Sequence, residues 1–217
     1  MNRRNNAEET KEKIIAVSTR LFIEKGFEKT SIQDISEALG MSKGAIYHHF
    51  NSKKDIIDTV RENKANNVEE TVEQWLNTID AQSAKEKLTL LLEKDLADQE
   101  VHSLDNVFST QIKSPDFIVS IMRDSVNASS PVFAKIMKEG NMDGSITTKY
   151  PNELAEVFFL LFNIWCDPAI FECDEDQLNR RLQFLHLMMK KMGADIMNEE
   201  ILRNSEKLLQ ELYAGDE

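Results

Sequence analysis

Two cysteines, four prolines and seven glycines in 217 residues leave little material for crosslinks, broken strands or phosphate-cradling loops. Cys166 and Cys173 lie seven apart with no second pair, which fits neither a disulfide framework nor a zinc site of CxxC spacing. Two reduced thiols near a helix end are expected. His102 and His186 have no partner at ligand spacing, so no metal site is expected. No GxSxG elbow, P-loop, HExxH or dinucleotide glycine pattern occurs, and the carboxylates are scattered along solvated faces. These absences argue against an enzyme and against a cofactor. The longest apolar run, Val157 to Trp165, is interrupted by Asn163 and followed by Asp167-Pro168. It falls short of the roughly 20 residues that a bilayer span needs. Residues 1 to 13 are polar and charged, unlike a secretory leader. A cytoplasmic protein with no membrane partner is the expectation.

Abundant Leu, Ile, Met, Lys and Glu favour helix, and alternating strand patterns are scarce, so the predicted fold is all-α. The net charge of −12 at first opposes binding to a polyanion. Its distribution reverses that argument. Residues 1 to 54 hold ten Lys/Arg against seven Asp/Glu, a net +3, which leaves −15 on the remainder. A small basic N-terminal part can approach nucleic acid while the acidic bulk stays away.

The helical periodicities divide the chain into about nine or ten helices. Residues 8 to 25 place Ile14, Ile15, Ser18, Leu21 and Phe22 on one face, closed by Gly26. Thr30 with Gln33, or Ser31 with Asp34, opens a second helix that carries Ile32, Ile35 and Leu39 and ends at Gly40. Ser42 caps a third helix by accepting from the Ala45 amide. These three short helices are expected to share a core of Ile15, Phe22, Phe27, Ile35, Leu39, Ile46 and Phe50. Ser52 with Asp55 opens a long connecting helix over residues 53–80, with a polar middle from Asn63 to Asn67. Ser83 with Glu86 caps the next helix, to about residue 99, and Leu104 to Ile112 forms a shorter one. Ser114-Pro115 and Ser130-Pro131 mark two further helix starts. The last three helices are expected over Glu153–Ala169, Asp174–Met192 and Asp195–Tyr213. The organisation read from this is a helix-turn-helix domain over 1–52 (motif 31–50), the connecting helix, and a C-terminal helical bundle over 81–217.

The segment Thr30 to Asp55 has the chemistry of a helix-turn-helix. Ser42, Lys43, Gly44 and Ala45 lie at the N-terminal end of the recognition helix, where free amides favour phosphate and side chains reach base edges. Lys43 can donate to guanine acceptors, Gly44 admits the backbone, and the Ala45 methyl can meet a thymine methyl. Thr30, Ser31, Tyr47, His48 and Lys53 offer donors for the flanking phosphates. His49, beside Phe50, serves equally well as cover for the core. Thr30 and Ser31 have a plain alternative as helix caps, and Lys43 as a solvated surface lysine.

The run from Ile14 to Ile57 resembles the N-terminal domain of the TetR/AcrR family of bacterial transcriptional repressors. The resemblance rests on Ala16, Leu21-Phe22, Gly26-Phe27, Thr30, Ile32, Ile35, Ala38, Gly40, Ser42-Lys43-Gly44, Ile46-Tyr47, His49-Phe50 and Ser52-Lys53-Lys54-Asp55. Ser36, Leu39 and Met41 depart from its pattern at positions that affect helix packing. The resemblance implies a C-terminal domain that binds a small-molecule effector and pairs with a second copy. For the effector pocket the candidates are Trp75, Phe108, Met122, Phe133, Phe158, Phe162 and Trp165, for each of which, taken singly, core packing is the default reading.

Dimerisation has support from the residues themselves. The helices from Leu154 to Trp165 and from Leu178 to Met192 are apolar nearly all round, a surplus that fits a four-helix bundle with a second copy. The alternative is a pair of central helices in a monomer. Leu154, Phe159, Leu182, Leu185 and Met189 are the interface candidates. The function implied is a dimeric, ligand-responsive repressor of a palindromic double-stranded DNA operator. The competing reading is a helical small-molecule-binding or interaction protein without DNA binding.

Overall fold

The computed structural model describes the backbone of residues 3–112 and 114–211, and the side chains of those from residue 7 onward. Among the described residues there is no strand, and the fold is all-α. The helices in chain order are α1 (Arg3–Lys25), α2 (Ile32–Leu39), α3 (Lys43–Tyr47), α4 (Lys53–Asn66), α5 (Val68–Leu76), α6 (Ala84–Ala97), α7 (Asp105–Ser109), α8 (Pro115–Asp124), α9 (Ser130–Asp143), α10 (Pro151–Leu160), α11 (Glu175–Lys191) and α12 (Glu199–Glu211). A 3-10 turn, Val101–Leu104, precedes α7, and π-helical turns Ser125–Ser129 and Leu161–Trp165 follow α8 and α10. Ten of these twelve helices have eight or more residues, within the expected range. No described helix is long and apolar enough to cross a membrane. The chain separates into two compact units, Met1–Asn66 with Ser103–Thr110, and Asn67–His102 with Gln111–Glu217.

The first unit closes around Ile14, Leu21, Phe22, Phe27, Ile35, Ile46, Phe50, Ile56, Ile57 and Val60, all buried. The first helix presents Ile14 to the centre rather than Ile15, which packs at the edge together with Leu39. Leu104 and Val107 complete this core, and Phe108 packs against it. The Lys64 ammonium stands 3.3 Å from the Asp105 carboxylate and 5.7 Å from the Phe108 ring centroid. A segment far along the chain therefore belongs to the N-terminal unit, and Phe108, a candidate for the effector pocket, packs against that unit's core.

The single helix expected over 53–80 is two. α4 ends at Asn66 and α5 begins at Val68, with Asn67 between them making no side-chain cap. The polar run Asn63 to Asn67 supplies no apolar face to hold a turn there, and asparagine competes for backbone hydrogen bonds. Ser130-Pro131 also behaves differently from its pattern. The chain does not restart at Ser130 but passes from α8 to α9 through a π turn, with the Ser130 amide bonded to the Ser125 carbonyl. Pro131 has no amide and its ring crowds the preceding turn, and one extra residue in that turn relieves the conflict. Ser130 then donates back to the Val126 carbonyl at 2.7 Å instead of capping. Ser114 precedes Pro115 in an extended conformation, but its side chain makes no cap bond. The last helix starts at Glu199 rather than Asp195, and Tyr213 lies outside the described residues.

The second unit buries Leu88, Leu91, Met137, Ile146, Ala155, Phe158, Leu178, Leu182, Leu185, Met189 and Ile196 among others. α10 and α11 present one face each to this core, and their opposite faces are open. α11 begins with a capping box in which Asp174 accepts from the Gln177 amide at 2.7 Å and its own amide donates to the Gln177 side chain at 3.1 Å.

Candidate nucleic-acid interface

The turn between α2 and α3 is set by Gly40, whose φ of +63° lies in the left-handed region that a side chain disfavours. Its amide donates to the Glu37 carbonyl at 3.1 Å and the Met41 amide to the Ser36 carbonyl at 2.9 Å, closing α2. Three residues later α3 begins. Ser42 is its N-cap, with an extended backbone and a hydroxyl that accepts from the Ala45 amide at 3.2 Å. Ile46 is fully buried and holds α3 against the core, which fixes what the other faces show.

What they show is Ser42, Lys43, Gly44, Tyr47 and His48, all exposed. Tyr47 keeps 53% of its surface accessible, far more than a tyrosine usually does. A Cβ added to Gly44 would meet only the Ser42 hydroxyl oxygen, at 3.8 Å. The protein's own packing does not call for glycine there. Ala45 is half-buried beside Ile46. His49 is half-buried as well, its ring 5.4 Å from that of His48, at the border between core cover and surface.

Two candidates turn inward. Thr30 is 1% exposed, and its hydroxyl donates to the carbonyls of Gly26 at 2.8 Å and Leu21 at 3.2 Å. It finishes the C-terminal end of α1 and has no free donor for a phosphate. The cap of α2 is therefore Ser31, in a capping box with Asp34: the Asp34 amide donates to the Ser31 hydroxyl at 3.1 Å, and the Ser31 amide to the Asp34 carboxylate at 2.8 Å. The Ser31 hydroxyl also donates to that carboxylate, and Lys25 pairs with it at 3.2 Å. These hydrogen bonds, led by that from the Ser31 hydroxyl, hold the Asp34 carboxyl well below its ordinary value. Lys53 donates to the Phe27 carbonyl at 2.6 Å, and its ammonium lies 4.1 Å from the Phe27 ring centroid. The exposed cation beside it is Lys54, paired with Asp58 at 2.8 Å.

In the second unit, Phe133, Phe158 and Phe162 stack in sequence with centroids 6.2 Å and 6.0 Å apart, and Phe159 stands edge-on to Phe133 at 4.7 Å. Trp75 is half-buried against the same core, with the Lys94 ammonium 5.6 Å from its ring. Met122 and Trp165, with Leu160, Leu161, Ile164, Phe171 and Phe184, line an open apolar groove of about 280 Å³. Arg181 braces it from behind, donating to the carbonyls of Trp165 at 2.9 Å and Phe171 at 2.8 Å. Leu161 and Trp165 of this groove also pack against the core that holds Phe159 and Phe162. Among the described residues no cluster of three or more His, Cys, Asp or Glu could hold a metal ion.

The interface candidates Leu154, Leu182, Leu185 and Met189 are 4% exposed or less, inside the protomer's own core, and Phe159 is half-buried among the phenyl rings. The first four have no surface left for a partner. The outward faces of the same helices carry Val157, Phe184, Leu187 and Met192, exposed by 40 to 55%. Sequence reasoning missed these because a helix that is apolar all round gives no phase to the pattern.

Two family models match the chain: "Bacterial regulatory proteins, tetR family" over residues 14–60, and "Tetracyclin repressor-like, C-terminal domain" over residues 98–186. YerO of Bacillus subtilis, an uncharacterized helix-turn-helix regulator, is 46% identical over 69 residues, 29% of this chain and 24% of that protein. The transcriptional regulator QacR of Staphylococcus aureus is 28% identical over 68% of this chain and 79% of its own length. Among solved structures, a tetR-family transcriptional regulator from Pectobacterium atrosepticum superposes with a TM-score of 0.63 at 19% identity, over 88% of this chain and 98% of that one. This last likeness is one of fold.

Proposed function

We propose, since the chain belongs to the tetR family of bacterial regulatory proteins, that it is a ligand-responsive repressor acting as a dimer on a palindromic operator. The family consists of DNA-binding transcriptional regulators, not enzymes. In this reading residues 1–52 form the reading head and the helices beyond residue 80 bind the effector and the second copy. The observation that carries it is the exposed face of α3, where Lys43 and Gly44 stand clear of the protein at its capped, positively polarised start and Tyr47 at its far end. Lys43 reads base edges, Ser42 and the first α3 amides take a phosphate, and Tyr47, His48 and Ser31 fix the register. One such helix binds weakly. Two, held about 34 to 36 Å apart by a dimer, meet successive major grooves.

The dimer contact is proposed for the outward face of α10 and α11, around Val157, Phe184 and Leu187, and the effector site for the aromatic cluster of the second unit. The segment 103–110 is the natural transmitter. It is part of the first unit's core, yet at both ends it continues into the second unit. An effector that favours one arrangement of those helices also biases the reading head, and a coupling of about 1 to 3 kcal/mol changes operator affinity 5- to 150-fold. Selection from a pool of randomised DNA duplexes, followed by DNase footprinting, is expected to return a palindrome protected on both half-sites. Failure to enrich any duplex would remove the repressor reading.

A further inference from the structure

Lys53 stands where a basic residue beside a recognition helix is most simply read as a phosphate contact. Its geometry says otherwise. The ammonium donates to the Phe27 carbonyl at 2.6 Å, reaches the Glu28 carbonyl at 3.5 Å, and sits 4.1 Å from the centre of the Phe27 ring. The side chain spans 26 residues of sequence, from the first turn of α4 back to the turn that joins α1 to α2. That turn is gathered from the other side by Thr30, whose hydroxyl takes the Gly26 and Leu21 carbonyls while its amide donates to Phe27. Between them Thr30 and Lys53 bind the carbonyls of Leu21, Gly26, Phe27 and Glu28. Phe27 is buried against Phe22, with centroids 5.2 Å apart, so the ring under the ammonium is anchored in the core. A charge-assisted hydrogen bond to a carbonyl combined with a cation over a buried ring is a strong, directional tie. Moving the ammonium to a phosphate would break both contacts and leave the Phe27 carbonyl with the Thr30 amide as its one remaining donor at the turn.

We propose that Lys53 is a positioning residue for DNA binding: it fixes the corner from which α2 starts, and through α2 and the Gly40 turn the angle of α3, without itself touching the phosphate backbone. This rests on the DNA-binding reading above. The test is the Lys53→Met variant, which keeps the aliphatic stem and removes the charge, measured against a duplex selected from a randomised pool by the unaltered protein across a KCl series. Affinity is expected to fall about tenfold or more, the scale of one charge-assisted hydrogen bond. The slope of log affinity against log salt should stay as it was. A phosphate contact would instead lower that slope by about 0.9 per subunit, about 1.8 for a dimer, and that result would overturn the proposal. So would a variant with a lower melting temperature but unchanged affinity, which would make the tie structural only. Should Lys53→Met not fold, Phe27→Leu provides the same test, because it removes the ring while leaving the lysine free to reach DNA. Lost affinity with an unchanged slope is expected there too, and unchanged affinity would overturn the proposal. If the unaltered protein selects no duplex, the DNA-binding reading fails, and this proposal with it.

Discussion

Single residues at the reading head separate what the fold requires from what a partner requires. Gly44 has room for a methyl group and lies in the first turn of α3, where alanine is the better helix former by up to about 1 kcal/mol. Gly44→Ala is therefore expected to leave urea unfolding unchanged or slightly more stable while weakening DNA binding at least tenfold in a gel-shift titration. An unchanged shift would mean that the backbone there does not approach DNA. The cysteines make a similar contrast. Burial pushes the Cys166 thiol up to about 12, so at neutral pH it holds its proton and is closed to reagents. Cys173 is partly accessible and free. A thiol-reactive dye should titrate one group in the native protein and two in denaturant, and two fast equivalents in the native state would contradict the packing of Cys166. Thr30 and Lys53 mark the limit of reading such residues from sequence. Their types and positions suit phosphate binding, yet a hydroxyl or an ammonium can face inward wherever carbonyls at a helix end lack donors, and nothing in the local pattern reports those carbonyls.

Apart from Ser114 and Ser130, elements defined by a cap or a forced backbone angle were legible, and the phases of elements defined only by apolar content were not. The Ser42 cap, the Ser52 cap that accepts from the Asp55 amide at 3.1 Å, and the Ser83 cap on α6 all sit where the side-chain chemistry puts them. Gly40 is the strictest of these signals. No neighbouring atom lies within 4 Å of a Cβ added there, so Gly40→Ala pays only the left-handed backbone cost, about 1 to 2 kcal/mol. Chemical denaturation of the variant measures it, and a loss well below that range would mean the turn relaxes to another conformation. The phases of α10 and α11 were not readable, because leucine and phenylalanine on every side leave the inward face to be chosen by tertiary packing. Hence Leu154, Leu182, Leu185 and Met189 went to the protomer core, and Val157, Phe184 and Leu187 to the surface. The segment 103–110 was equally hidden. Its attachment to the first unit depends on Leu104, Val107 and the Lys64–Asp105 pair, a contact across 41 residues with no local signature.

At the scale of the whole molecule, charge and apolar surface make opposite demands on two associations. Pairing through the outer faces of α10 and α11 would cover Val157, Phe184 and Leu187, exposed by 40 to 55% in the single chain. Phe184→Arg is expected to convert the dimer to a monomer in sedimentation velocity while the circular dichroism spectrum stays helical, and an unchanged dimer would place the contact elsewhere. The same association brings together two chains that carry −15 each beyond residue 54, so electrostatics oppose it and salt, by screening, strengthens it. DNA binding runs the other way, since counterion release makes each phosphate contact weaker as salt rises. Dimer dissociation constants should therefore fall with increasing KCl while the affinity of the formed dimer for its duplex declines. At low protein concentration, total operator occupancy is then expected to pass through a maximum at intermediate salt rather than decline steadily. Sedimentation equilibrium and fluorescence anisotropy on the same KCl series resolve the two limbs. If dimerisation weakened with salt, the acidic bodies would not be what the paired subunits hold in proximity, and the interface would have to draw its stability from ion pairs rather than from the apolar faces of α10 and α11.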